Sequence, residues 1–475
     1  MAKQVLIVHG WSDSSDSFAP LARFLASNGF ETRTLWLGDY ISMEDDVRVQ
    51  DVAVRMGEVI DQRIASGDLQ PRFDMIVHST GALVARAWLT TRYSDGGPCP
   101  VGRLLMLAPA NYGSRLAAVG KSMLGRLVKG FKHGFHTGTA MLDDLELASP
   151  FQWELAQRDV LLAPGGNSQR YYGEGRVLPF VIVGTRGYSG LLRQIANENG
   201  ADGTVRVCAA NLTARGVTID FRETDPDKLM RPWESRLDCD VPLAVLPTRT
   251  HGSIVDPERA DPDNQDGMVE SDEEKQQLGK LILEALACDD IDQYRAIRQR
   301  WDDLSEQTAR RCLDEPDSPQ ADCYHQYMQI NAYVVDDHGK PVPDYFLEFF
   351  SNPDRVDDEA NAYLHANVLE DVKRNSQSEA LRNLYFDRTD LVDGYYRRFA
   401  EATKPVLYMS IYATAPGSNV NYFDPANPSA AGMVPIHLEG DITRRWLRRN
   451  TTHFVQIVIP RRPIADVFRL TRFAG

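Results

Sequence analysis

Cysteine is scarce, with six in 475 residues. None shows the short paired spacing of a zinc ribbon or a disulfide scaffold. Cys312 and Cys323 are the nearest pair, and a structural zinc site would need two more ligands beside them. Free thiols in a reducing compartment are the expectation. Long apolar runs are missing too: no stretch reaches the roughly 20 residues of a membrane-spanning helix. The opening run Val5 to Val8 stops at His9-Gly10, too short for a signal peptide. A cytoplasmic protein is therefore expected, and export by a signal-less route stays compatible with these features. Positive charge is also short. A net charge of −15 argues against nucleic acid as the main partner, because a phosphate binder needs a basic face.

What is present is apolar sequence in short periodic blocks, 43% of the chain being hydrophobic. That suffices for two or three domains with a real core. Gln4 to Val8, Glu31 to Leu37, Met75 to Val77, Leu104 to Ala108, Val177 to Val183 and Leu243 to Leu246 read as strands. Helical patterns alternate with them, at Phe18 to Leu25, Val49 to Ile64 and Glu273 to Ala287. The order predicts an α/β architecture with a doubly wound, mostly parallel sheet over residues 1–288. Val217 to Phe221 reads as a further strand of this part. Residues 289–325 are charged and partly helical, and read as a connector. From 326 to 475 the period changes to that of a smaller β-rich, sandwich-like domain. Its first strands, Ile330 to Val334 and Tyr345 to Phe350, are expected to pair through the turn Asp336-Asp337-His338-Gly339.

The chain is organised around Phe73 to Arg86. A buried strand, Met75 to Val77, runs into His78-Ser79-Thr80-Gly81 and then into Ala82, Leu83, Val84 and Ala85, which favour helix. A serine wedged between strand and helix is the layout of a nucleophile elbow, which exposes its hydroxyl beside a helix N-terminus. The competing reading is a serine that merely caps a helix. Val77 stands where the G-x-S-x-G pattern has glycine, so the turn must be slightly wider or its neighbours smaller.

A serine nucleophile needs a base, an orienting acid and two N–H donors. His251 follows a late strand, and Asp202 in an Asp-Gly turn lies between the two in sequence. Asp220, Asp238 and Asp240 also precede His251 and stay open as the acid. The backbone N–H groups of Thr80 and Trp11 are the expected oxyanion donors. A segment at about 115–150 carries the stripe Met123, Leu124, Leu127, Val128 and Phe131, flanked by glycines and by Lys121, Arg126, Lys129 and Lys132. It reads either as a mobile cover or as a fixed surface helix. His133 and His136 with Asp143 and Asp144 have spacing too mixed for a metal site, and no metal is expected.

With these pieces the first 290 residues or so resemble the lipase and esterase branch of the α/β-hydrolase superfamily. The resemblance rests on His9-Gly10-Trp11, His78-Ser79-Thr80-Gly81, Pro109 with Gly113-Ser114, Asp202-Gly203-Thr204-Val205 and His251-Gly252. It implies a Ser79, His251, Asp202 triad, a lid before Asp143 to Phe151, and no metal or organic cofactor.

The expected activity is hydrolysis of carboxylic esters, with a lipid substrate suggested by the amphipathic segment and transient contact with a membrane surface. A thioesterase, amidase or acyltransferase would use the same residues. A non-catalytic binding module, its β-rich domain recruiting a protein partner, is the rival of a different class. The arginines at 444, 445, 448, 449, 461 and 462 read first as a solvated or salt-bridged face, and second as a contact for anionic lipid.

Overall fold

The computed structural model describes residues 3–10, 15–35, 46–118, 139–188, 197–223, 225–258, 271–314, 321–354, 358–403, 406–422, 433–437 and 447–463. The chain forms two compact units. One comprises Met1–Ala214, Glu234–Tyr327 and Arg449–Thr452; the other comprises Arg215–Trp233, Met328–Arg448 and His453–Gly475.

In the first unit the chain runs β1 (Gln4–Val8), α1 (Ser15–Ser27), β2 (Glu31–Leu35), α2 (Val49–Ser66), β3 (Phe73–His78), α3 (Gly81–Arg92), β4 (Val101–Leu107), α4 (Pro150–Asp159), β5 (Leu178–Gly184), β6 (Leu243–Leu246), α5 (Asp272–Ala287) and α6 (Ile291–Asp314). The six strands form one sheet in the order β6-β5-β4-β3-β1-β2, every pair parallel. Strands covered on both faces need no polar alternation, which is why β1 and β3 are buried at every position. The strand order reverses between β1 and β3. Their carboxyl ends therefore open a crevice at the switch point, where ligands bind in open α/β sheets.

The helices show their packing in their spacing. Val49, Val52, Ala53, Met56 and Ile60 line one face of α2, and Gly67 ends it in a left-handed turn with φ 79°. By contrast, α3 is buried from Gly81 to Thr90, as an apolar-all-round helix must be. Ser271 and Glu274 cap α5 reciprocally.

Residues 289–325, expected as a connector, contribute α6 to this unit's core. Tyr294 and Trp301 pack on Phe180 of β5, with ring centroids 5.1 and 5.7 Å away. The hydroxyls of Ser305 and Thr308 donate to the carbonyls of Leu243 and Val245, and Ser305 accepts from the Val245 N–H. Thus α6 satisfies the outer edge of β6, the last strand of the sheet. Its charges disguise this in the sequence because they occupy the other face.

The second unit is β-rich. A six-stranded sheet has the order Leu369–Arg374, Leu381–Asp387, Tyr327–Asp336, Thr451–Ile459, Ala214–Asp220, Met230–Pro232. A three-stranded sheet has the order Tyr345–Phe350, Val406–Ala413, Met433–His437. Ile330, Val334, Phe386, Val455 and Ile457 from the first share one core with Phe349, Met409 and Ile411 from the second. Two sequence expectations are corrected here. The strand near Val217 belongs to this unit's sheet, not to the parallel sheet. The strands flanking Asp336 to Gly339 are not a hairpin but enter different sheets. Only a single bridge, Val335 to Pro341, follows that turn. Pro341 and Pro343 lack the N–H groups that a continuing ladder requires.

Among the described residues no helix is long and apolar enough to cross a membrane. None of the six cysteines forms a disulfide in the described residues.

Candidate active site

Ser79 occupies the turn between β3 and α3 with φ 54°. That left-handed conformation costs a non-glycine residue free energy, so its surroundings must hold it. The carboxyl end of β4 does this from both sides. The Ser79 N–H donates to the Leu107 carbonyl at 3.2 Å, and the Ala110 N–H donates to the Ser79 carbonyl at 3.2 Å. Room comes from two glycines. A Cβ on Gly10 would stand 2.6 Å from the Ser79 Cβ, and one on Gly81 would stand 2.9 Å from the Val8 carbonyl oxygen. Val77, the departure from the glycine pattern, is accommodated as a buried residue of β3. Gly10, distant in sequence, supplies space directly against the serine.

The serine Oγ lies 3.0 Å from His251 Nε2, and His251 Nδ1 lies 2.9 Å from Asp202 Oδ2. A carboxylate only accepts, so Nδ1 carries the proton and Nε2 is left to accept from the serine hydroxyl. Asp202 is fully buried, which an unpaired carboxylate could not bear. Its other oxygen takes the N–H groups of Thr204 at 2.9 Å and Val205 at 2.7 Å. The His251 N–H also donates to the Asp202 carbonyl at 2.9 Å. The rival acids lie elsewhere. Asp220 binds Arg222 and Arg231, Asp238 binds Arg170, and Asp240 faces Arg298 at 4.0 Å.

Thr80 begins the first turn of α3, and among the described residues its N–H makes no hydrogen bond. That group adjoins the serine at the positive end of the helix. Trp11, the other expected donor, lies outside the described residues, as do Met123, Leu124, Leu127, Val128 and Phe131 of the expected lid. His133 and His136 lie outside them as well. Asp144 instead accepts from Arg48 Nη1 at 2.9 Å and the Val49 N–H at 3.1 Å, at the start of α2.

Sequence reasoning missed the groups that brace this arrangement. Arg86 and Asp159 form a fully buried ion pair, with bidentate contacts of 2.7 and 3.0 Å. Arg86 Nη1 also donates to the Asn111 carbonyl at 2.6 Å, one residue beyond the Ala110 amide that holds Ser79. Burial opposes the charge on Arg86, but Asp159 outweighs it and holds the guanidinium pKa above its ordinary value. The signal was available, because Arg86 is a charge in the middle of the apolar run Ala82 to Leu89. Around the acid turn, Arg206 grips Glu198 through contacts of 2.7 and 2.6 Å.

No protein-family profile matches the sequence, and no curated protein matches it. Among solved structures the chain is similar to phospholipase PlaB from Legionella pneumophila. The identity is 24%, the match covers 100% of this chain and 97% of that chain, and the TM-score is 0.77. The same phospholipase in complex with thio-NAD matches at 23% identity, 100% and 97% coverage and a TM-score of 0.75. The likeness establishes the fold. The first unit has the α/β-hydrolase fold, followed in the chain by β-rich structure.

Proposed function

We propose that this protein is a serine hydrolase that cleaves carboxylic esters of lipids. The observation that carries the reading is the line of hydrogen bonds from Ser79 through His251 to Asp202, built on a left-handed elbow at the switch point of the sheet. An ordinary serine hydroxyl is a weak nucleophile, and this line supplies the base and the base's orientation. His251 Nε2 takes the proton as Ser79 Oγ attacks the ester carbon. The charge that develops on the carbonyl oxygen is met by the Thr80 N–H. His251 then gives the proton to the leaving alcohol, and an acyl-serine remains. Water repeats the sequence, its proton passing to His251 and back to Ser79 as the acid departs. Asp202 holds the imidazole and stabilises its cationic form throughout.

The lipid class rests on two supports: the amphipathic basic stripe from Met123 to Phe131, and the whole-length structural likeness to a phospholipase. A fluorophosphonate probe tests the nucleophile, since only an activated serine is labelled. Labelling of the wild type and its loss in Ser79→Ala, together with release of fatty acid from a mixed lipid extract, is the expected result. An unlabelled wild type that hydrolyses no acyl ester would leave a binding module instead.

A further inference from the structure

The mechanism above gives no task to His78, the last residue of β3 and the neighbour of Ser79. Its side chain is buried, 2% exposed. Its Nε2 lies 3.0 Å from the carbonyl oxygen of His251. A carbonyl only accepts, so His78 holds its proton on Nε2 and donates it there. The His78 and His251 rings stand 4.7 Å apart at 43°. Phe18 of α1 meets the His78 ring edge-on at 5.7 Å, which fixes the direction of the donor.

His251 needs such a tie because of where it sits. It lies in a turn that leads into the single 3-10 turn Ser253–Val255, with no helix or strand to fix its backbone. Its N–H is held by the Asp202 carbonyl. Its carbonyl is held by His78, on the strand that ends in the nucleophile. The backbone of the base is thus gripped on one side by the acid and on the other by the neighbour of the serine. A general base works only within about 2.6–3.2 Å of its proton, and the Ser79 to His251 distance of 3.0 Å leaves little slack.

We infer that His78 is a positioning residue that sets the Ser79 to His251 distance by tying the carbonyl of the base to the strand of the nucleophile. The inference rests on the hydrolase reading for its kinetic consequences. His78 never meets substrate, so its loss slows proton transfer and leaves binding alone. Glutamine is the conservative replacement, because its Nε2 reaches about as far as the imidazole Nε2 and donates equally. Leucine fills similar space without a donor.

The test compares full-length wild type, His78→Leu and His78→Gln in fluorophosphonate labelling rate, in kcat and KM on a soluble short-chain ester, and in thermal midpoint. The His251 Nδ1 proton is followed alongside as a low-field NMR resonance, assigned by its loss in Asp202→Ala. His78→Leu is expected to lower the labelling rate and kcat by roughly 10- to 100-fold, with KM within about twofold. His78→Gln is expected to recover most of that loss. The resonance should be lost to exchange in His78→Leu and kept in His78→Gln. Rates within about twofold of wild type in His78→Leu would overturn the inference. So would equal losses in both variants with both thermal midpoints lowered, since that marks a packing role. Should the wild type prove unreactive, the hydrolase reading falls, and the resonance alone decides: lost in leucine and kept in glutamine supports the tie, unchanged in both overturns it.

Discussion

Gly10 lies against Ser79 so closely that a Cβ at residue 10 would stand 2.6 Å from the serine Cβ and 2.9 Å from the His78 carbonyl oxygen. The end of β1 therefore bears on the nucleophile as directly as β3 does. Gly10→Ala should push the elbow outward, because both atoms it meets are backbone or Cβ and cannot swing aside. A displacement of about 1 Å is expected to lower fluorophosphonate labelling by about 100-fold. Near-UV circular dichroism should show a folded protein. Labelling at the wild-type rate would mean that the turn yields without moving Oγ.

Asp202→Asn should lower acylation by about 10⁴-fold, through loss of the Nδ1-protonated tautomer. Folding should suffer little, because the amide oxygen can still accept from Thr204 and Val205. Ester hydrolysis and urea denaturation measured together check both halves. A loss under tenfold would mean that another group orients His251.

The buried pair Arg86 and Asp159 offers the largest stability effect. Asp159→Ala leaves a guanidinium uncompensated in the core and should destabilise the first unit by about 3–5 kcal/mol. Arg86→Met combined with Asp159→Leu should cost much less, since neither charge is then stranded. Urea midpoints of the three proteins check the order. If the double variant is the less stable, the pair is net favourable as a pair.

Asp220 contributes to the acid limb of the second unit. Its hydrogen bond from Arg222 lowers its pKa, against burial, with the Arg222 N–H and the Arg231 charge adding to the effect. A folded pKa below the unfolded value, about 3.9, means stability that is full above that value and lost as pH falls through the folded one. The advantage of wild type over Asp220→Asn should thus be constant above about pH 5 and shrink below about pH 4. Unfolding free energies at several pH values check it. A gap that widens in acid would reverse the sign.

The parallel sheet was legible in the sequence because strands buried on both faces are continuous apolar runs, as at Val5 to Val8 and Leu104 to Leu107. The elbow was legible because Ser79 interrupts strand and helix without a loop. What escaped was whatever depends on partners distant in the chain. The sequence around Val217 reads as a strand but says nothing about which sheet receives it. The α6 helix hides its apolar face among charges. The turn at Asp336 looks like a hairpin until the prolines after it are weighed for the amides they lack. His78 was visible as part of the motif, yet its reach to the His251 carbonyl spans 173 positions and has no local signature.

The strand Thr451–Ile459 lies between Tyr327–Asp336 and Ala214–Asp220 in the second unit's sheet. Thr218 and Gln456, which meet there, are 238 positions apart. During synthesis the segment Arg215–Trp233 leaves the ribosome long before its neighbour exists, and at about 5–20 residues per second it waits for some tens of seconds. For that interval an edge rich in β-branched residues stands without its proper strand, a template for pairing with a second chain. The order of the strands thus makes this protein sensitive to how fast it is translated and how crowded its unfinished copies are, apart from any question of its final stability.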